Sequence, residues 1–233
     1  MTRFLKNLNI IYEKLVLFIL VIILLISAWC VYDCWYVFEH TADKNLFKYR
    51  PGNPVNAVMV GDEQISDDMV AWITIDDTEI DYPIMQAADN TKYLNADPFG
   101  RYSLAGSIFL DSRNTSDFSD QYSLVYGHHM EYGRMFGALD NFLDSDFLSK
   151  HSHGILMIGK NADIIYQLTA FASFRASAKD DAVFEPGKGD IREFIYQKTH
   201  INVDENKKIL CLSTCAEGDA VSRIVVFCYI NNE

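Results

Sequence analysis

The sequence predicts a mostly β domain behind one membrane-spanning helix. The domain is expected to be an eight-stranded β-barrel with helices on its outside. Three observations predict it. An uncharged apolar run, Leu15 to Tyr32, lies near the N-terminus. Eight short runs rich in Ile, Val, Phe, Tyr or Thr follow, each bordered by turn-forming residues. Only two or three stretches carry a helical repeat, so the strands must bury their faces mainly against one another and close the sheet to remove its edges.

The apolar run reads LVLFILVIILLISAWCVY, without charge or proline. About 18 such residues reach the lower limit for crossing a hydrocarbon core as a helix. Trp29, Tyr32, Trp35 and Tyr36 suit the far interface. Arg3, Lys6 and Lys14 precede the run, and Asp33, Glu39 and Asp43 follow it. The positive-inside rule therefore places residues 1–14 in the cytoplasm and the remaining chain outside. Ser27-Ala28-Trp29 is a poor cleavage site, so the segment is expected to stay as an anchor over 15–38. Residues 39–54, ending in Tyr49-Arg50-Pro51-Gly52-Asn53-Pro54, are expected to join it to an outer domain over 55–233.

The strand-like runs are 71–75, 80–86, 107–111, 122–127, 154–158, 164–174, 208–215 and 223–230. Asp76-Asp77-Thr78 and Asn161-Ala162-Asp163 read as hairpin turns. A short helix is expected to begin at Ile65 to Met69. A second, over Met135 to Phe142, would set Met135, Leu139 and Phe142 on one side. Asp190 followed by Glu193 has the form of a capping box, with Ile191, Phe194 and Ile195 as the apolar stripe of a third helix.

At 233 residues, 49% hydrophobic and 22% charged, the chain can fold one sizeable core. A net charge of −12 argues against nucleic acid as a partner, because phosphate binding needs a surplus of Lys and Arg. The five cysteines have no CxxC pair and no zinc-type spacing with histidine. Cys211 and Cys215 would lie about 13 Å apart on one strand face, too far for a disulfide. Free thiols are the plain reading. His151 and His153 form an H-x-H pair without a third ligand, and no metal or other cofactor is expected.

The chemistry concentrates at strand ends. Leu210-Cys211-Leu212-Ser213-Thr214-Cys215 delivers Cys215 to the mouth of a strand, before the loop Ala216-Glu217-Gly218-Asp219. Cys211 and Cys228 sit mid-strand as core residues. Arg223 opens the next strand. If the two strands pair, its charge lies near Cys215, favouring thiolate over thiol and stabilising negative charge on a carbonyl oxygen. A buried Cys215 and a surface Arg223 paired with Glu217 or Asp219 are the competing bland readings. The run Ser123 to Gly127 ends on His128, an imidazole suited to protonate a leaving amine. His129 would point to the opposite face.

These residues together resemble the class B sortases, membrane-anchored cysteine transpeptidases of Gram-positive bacteria. The resemblance rests on the N-terminal anchor, Gly106-Ser107-Ile108-Phe109-Leu110-Asp111, Tyr126-Gly127-His128-His129-Met130 with Met135-Phe136 after it, and Leu212-Ser213-Thr214-Cys215 followed by Arg223. The helix near Asp190 to Lys198 looks like the class B elaboration. The resemblance implies a sortase-type barrel and three roles: Cys215 as nucleophile, His128 as general acid and base, Arg223 as oxyanion support. Ser213 and Thr214 are expected to contact substrate, and Glu217 stays outside the site. Also implied are cleavage of a C-terminal sorting signal after Thr, a thioester intermediate, and transfer to a cell-wall amine. The expected partners are secreted proteins with NPQTN-like signals and a peptidoglycan precursor, met outside the membrane. A water-using cysteine peptidase, a pilus-subunit polymerase and a membrane-tethered binding module are the alternatives.

Overall fold

All eight strand-like runs pair into a single sheet that closes on itself. The computed structural model describes residues 2–41, 44–52, 64–216 and 219–232. The side chains of 2–5, 36–41, 44–45, 215–216 and 219–220 lie outside that description, as does Glu217. Two compact units are present, residues 1–41 and 42–233. The first is one helix, α1 (Thr2–Thr41). Its stretch Lys6–Trp35, in which an 18-residue window reaches a mean hydropathy of 3.0, is long and apolar enough to cross a membrane.

The second unit holds β1 (Met69–Ile75), β2 (Asp81–Met85), β3 (Ile108–Leu110), β4 (Tyr122–Tyr126), β5 (His153–Ile158), β6 (Ile164–Ser177), β7 (Lys208–Ala216) and β8 (Asp219–Asn232). Around the barrel the order is β1-β2-β3-β4-β7-β8-β6-β5, and β5 closes it against β1. Two pairings are parallel, β2 with β3 and β4 with β7. Parallel neighbours require long connections. The one from β4 to β7 contains β5, β6 and the helices α2 (Ser145–Lys150), α3 (Asp181–Phe184) and α4 (Ile191–Thr199).

Side-chain alternation divides the core. Leu210 and Leu212 of β7, Ile224 and Val226 of β8, and Ile73 and Ile75 of β1 fill the interior. Ile209 and Cys211 of β7, with Val225 and Phe227 of β8 and Tyr122 and Leu124 of β4, face outward under Ile191 and Ile195 of α4. Both faces are covered, which explains why these strands read as nearly continuous apolar runs. A third cluster packs Leu46, from the segment expected as a junction, against Trp72, Tyr93 and Phe109.

Two expected helices are corrected. Ile65 to Met69 is not helical: Asp67 and Asp68 form a turn and Met69 opens β1. Here Ser66 Oγ accepts from the Asp68 N–H, and the Asp68 carboxylate receives Tyr93 Oη–H at 2.8 Å, so polar side chains serve the turn instead of a cap. The stretch from Met135 is 3-10 and runs over Gly137–Leu143, because Met135 itself has φ 52° and donates its N–H to Tyr82 Oη. The expected face survives, with Met135, Leu139 and Phe142 all buried. α4 starts where the sequence indicates: the Asp190 carboxylate accepts from the N–H groups of Arg192 and Glu193. Short α2 and α3 carry too few residues for a repeat to be visible.

One buried carboxylate ties the β3 exit to its surroundings. Asp111 accepts from Arg113 Nε (2.8 Å) and Nη2 (2.7 Å), from Asn90 Nδ2 (2.9 Å) and from Tyr126 Oη (3.0 Å). Arg113 also pairs with Glu185 and donates to the Phe184 carbonyl, which holds the connection between β6 and β7. Burial alone would raise the Asp111 pKa, but the hydrogen bonds and charge of Arg113, with the Tyr126 hydroxyl, hold it below the ordinary carboxylate value. Its contribution to stability is therefore present above about pH 4 and lost as pH falls through the lower folded value. Asp111→Asn should cost about 2 kcal/mol at neutral pH. In thermal melts across pH, the gap from wild type should narrow in acid; a gap independent of pH would contradict this. Asp190→Ala should cost about 1 kcal/mol by loss of the cap, read as a lower denaturation midpoint.

Candidate active site

β4, β7 and β8 are consecutive around the barrel, and their ends set the site. On the β4–β7 side, Tyr126 stands opposite Ser213 in parallel register, and the Gly127 N–H donates to the Ser213 carbonyl at 3.0 Å. His128 follows two residues after Tyr126, past the end of β4, and Cys215 two residues after Ser213 on β7. On the β7–β8 side, Cys215 stands opposite Arg223 in antiparallel register. Neighbouring strands lie about 4.8 Å apart, so the backbones of Cys215 and Arg223 are adjacent at one rim.

Leu124 and Cys211 belong to the outward cluster, as do Val225 and Phe227. Positions 126, 213 and 223 continue that alternation. Thr214 falls on the other parity, with Leu210 and Leu212. Ser213 and Thr214 are 1% and 2% exposed. Among the described residues, neither hydroxyl has a hydrogen-bond partner. Ser213 is thus a buried polar group next to the site on its own face, whereas Thr214 faces the interior.

His128 is held at several points. Its Nε2 lies 2.7 Å from the Leu94 carbonyl oxygen, and its own carbonyl accepts from the Phe136 N–H at 3.0 Å. Two glycines make room. A Cβ on Gly106, at φ 60°, would lie 2.6 Å from the Leu94 and Tyr93 carbonyls and 3.0 Å from His128 Cδ2. A Cβ on Gly127 would lie 2.4 Å from Ile108 Cδ1. His129 diverges as alternation predicts, with Nε2 2.8 Å from Asp140 Oδ2. Arg223 is partly buried and donates from Nη1 to the Ser222 carbonyl at 3.0 Å.

The remaining barrel thiols are unsuited to nucleophilic work. Burial pushes the Cys228 thiol up to about 12 and Cys211 further still, so both stay protonated at neutral pH. Cys30 and Cys34 lie on α1. Among the described residues, no group of three or more His, Cys, Asp or Glu could hold a metal ion. A cavity of about 690 Å³ opens beside Arg113, Asn114, Tyr122 and the start of α4. It lies at the opposite end of β4 from His128, and three of its charged groups are engaged: Arg113 by Asp111, Asp190 by its cap, and Arg192 by the Lys207 carbonyl.

Sequence reasoning missed two supports of the site. The Leu94 carbonyl is a backbone atom, and no residue type marks it. The Asp111 network reaches the outer face through Tyr126, two residues before His128. Its visible signal was an acidic residue ending a strand-like run with an arginine two places on.

Comparison with known proteins agrees with this architecture. A family model described as Sortase domain matches residues 73–231. Sortase B of Listeria monocytogenes is 35% identical over 159 residues, which are 66% of this chain and 65% of the relative. Sortase B of Staphylococcus aureus is 34% identical over 176 residues, 70% of each protein. A crystal structure of a Streptococcus pyogenes class B sortase involved in pilus biogenesis superposes with a TM-score of 0.64 at 35% identity, covering 71% of this chain and 93% of that one. The S. aureus sortase B–substrate complex gives 0.63 at 31%, covering 73% and 82%. The family match begins within β1 and ends within β8, so it takes in the whole barrel; the chain belongs to the sortase family, among relatives of class B.

Proposed function

We propose that the chain is a membrane-anchored cysteine transpeptidase. It cleaves a C-terminal sorting signal after Thr and joins the acyl half to an amine of a cell-wall precursor. The single observation that supports this reading is the double register around β7: Cys215 pairs with Arg223 on one side, and on the other Ser213 pairs with Tyr126, two residues before His128. The relatives support it: a solved structure of the S. aureus sortase B is a complex with substrate.

The reaction divides into two balanced steps. Cys215 thiolate attacks the threonine carbonyl carbon, and the carbonyl oxygen becomes an oxyanion that the Arg223 guanidinium stabilises. As that oxyanion collapses, the C–N bond breaks, and His128 as imidazolium passes its proton to the departing amine. A thioester and a neutral imidazole remain. The acceptor amine then attacks the thioester carbonyl, His128 takes the amine proton, and the thiolate leaves. The Ser213 hydroxyl, buried beside the reacting position, gains a partner when a peptide backbone lies across this face. The signals are NPQTN-like. The apolar helix keeps the enzyme at the membrane with the N-terminus in the cytoplasm and the barrel outside, where exported substrates are met. A second reading follows from the pilus-associated S. pyogenes relative: the acceptor amine belongs to another protein subunit.

Incubating the full-length protein with sorting-signal peptides, with and without an added amine, tests the proposal by mass spectrometry. Wild type should give the amine-linked acyl product. Hydrolysis alone, unaffected by amine, would contradict transpeptidation. Cys215→Ala should abolish turnover, and residual turnover would remove Cys215 from its role. Arg223→Lys keeps the charge but loses the planar fork. It should lower kcat by about 10²–10³ with an unchanged melting temperature, as for removal of an oxyanion donor; wild-type kinetics would contradict it.

A further inference from the structure

The hydrogen bond from His128 to a main-chain carbonyl fixes which ring nitrogen does the chemistry. A carbonyl oxygen only accepts, so the nitrogen that bonds to it must carry a hydrogen. His128 Nε2 stands 2.7 Å from the Leu94 oxygen. A neutral imidazole has one N–H, and the bond made by one nitrogen determines the state of the other. We propose that the Leu94 carbonyl locks neutral His128 as the Nε2–H tautomer, so that the proton exchanged during turnover moves on and off Nδ1.

Both partners of this bond are held before any substrate arrives. Leu94 ends the 3-10 turn Lys92–Leu94, whose entry is fixed by the Asp89 carboxylate accepting from the Thr91 and Lys92 N–H groups. Its N–H donates to the Thr91 carbonyl. The neighbouring Tyr93 carbonyl accepts from the Ser107 N–H at 2.9 Å, and Ser107 Oγ donates to the Ala96 carbonyl at 2.7 Å. Gly106 leaves the gap through which the Leu94 oxygen and the ring approach each other. On the other side, the His128 backbone is fixed by Gly127 to Ser213 and by Phe136 to the His128 carbonyl, and the adjacent His129 ring is engaged by Asp140. Turning the ring to present Nε2 to a substrate would break a hydrogen bond between two fixed elements.

The proton balance follows. Imidazolium carries hydrogen on both nitrogens. It gives the Nδ1 proton to the leaving amine and becomes the neutral Nε2–H form. Nδ1 then accepts a proton from the attacking amine, and the Nε2–H to Leu94 bond persists throughout. The tautomer stands independently of the proposed activity; the role of Nδ1 rests on the sortase-type mechanism above.

Two measurements on the full-length protein in detergent micelles separate these parts. In ¹⁵N-histidine-labelled protein at alkaline pH, long-range ¹H–¹⁵N correlations report the tautomer of each ring, and His128→Gln identifies the His128 signals by their loss. A protonated Nε2 with a bare Nδ1 is expected. An Nδ1–H ring, or an even mixture, would overturn the lock whatever the enzyme's activity. Incorporation of Nδ1-methylhistidine at position 128 should leave the barrel folded by circular dichroism and keep the Leu94 bond, while reducing peptide turnover at least a hundredfold. Near wild-type turnover by that protein would overturn the role of Nδ1. Failure of wild type itself to process any sorting-signal peptide would count against the transpeptidase reading and leave the tautomer result standing.

Discussion

The parallel pairing of β4 with β7 is the constraint on which the site depends. β4 and β7 are separated by β5, β6, three α-helices and two 3-10 helices, yet five consecutive residue pairs match between them, from Tyr122 with Ile209 to Tyr126 with Ser213. The Gly127 N–H extends that ladder toward the rim. A slip of one residue would turn every alternating side chain of β7 to the other face, exchanging Leu210 and Leu212 for Ile209 and Cys211 in the interior. Because both faces of β7 are packed, under α4 outside and against the barrel core inside, the register is doubly specified. The pairing of Tyr126 with Ser213, each two residues before a candidate site residue, is inherited from that packing.

Much of the barrel was legible from local chemistry. Each strand-like run became a strand, because β-branched and aromatic residues are bounded by residues that accept a turn: Asp77 and Ala162, at the tips of two hairpins, take positive φ. What escaped was decided by tertiary pairing. β6 and β8 continue beyond their apolar runs because they pair with each other from Tyr166 with Asn232 to Ser177 with Ser222, where the ladder outlasts the hydrophobic signal. The Ile65 to Met69 stretch was expected to begin a helix, but its Ser66 and Asp68 side chains serve a turn and Met69 belongs to β1. For the candidate site, residue types at strand ends pointed to His128, Cys215 and Arg223. The pairing of Cys215 with Arg223 followed only from strand register, and the Leu94 carbonyl had no signature at all.

The surroundings of the rim divide between rigid support and solvent-facing chemistry. Asp111 gathers hydrogen bonds from Arg113, Asn90 and Tyr126 and fastens the β6–β7 connection through Glu185 and Phe184. The two neighbouring histidines are directed apart, one to a carbonyl and one to a carboxylate. Such a frame holds side chains in place before any ligand is bound, the condition under which electrostatic stabilisation is strongest.

The most direct test of the central claim is chemical linkage between positions 128 and 215. Under mild oxidation, a His128→Cys variant of the full-length protein should form an intramolecular disulfide with Cys215, identified by peptide mapping, because level residues on adjacent strands fall within the span such a bond allows. If the two thiols stay separately alkylatable under conditions that oxidise neighbouring cysteines, the strand ends do not meet as described and the shared site is lost.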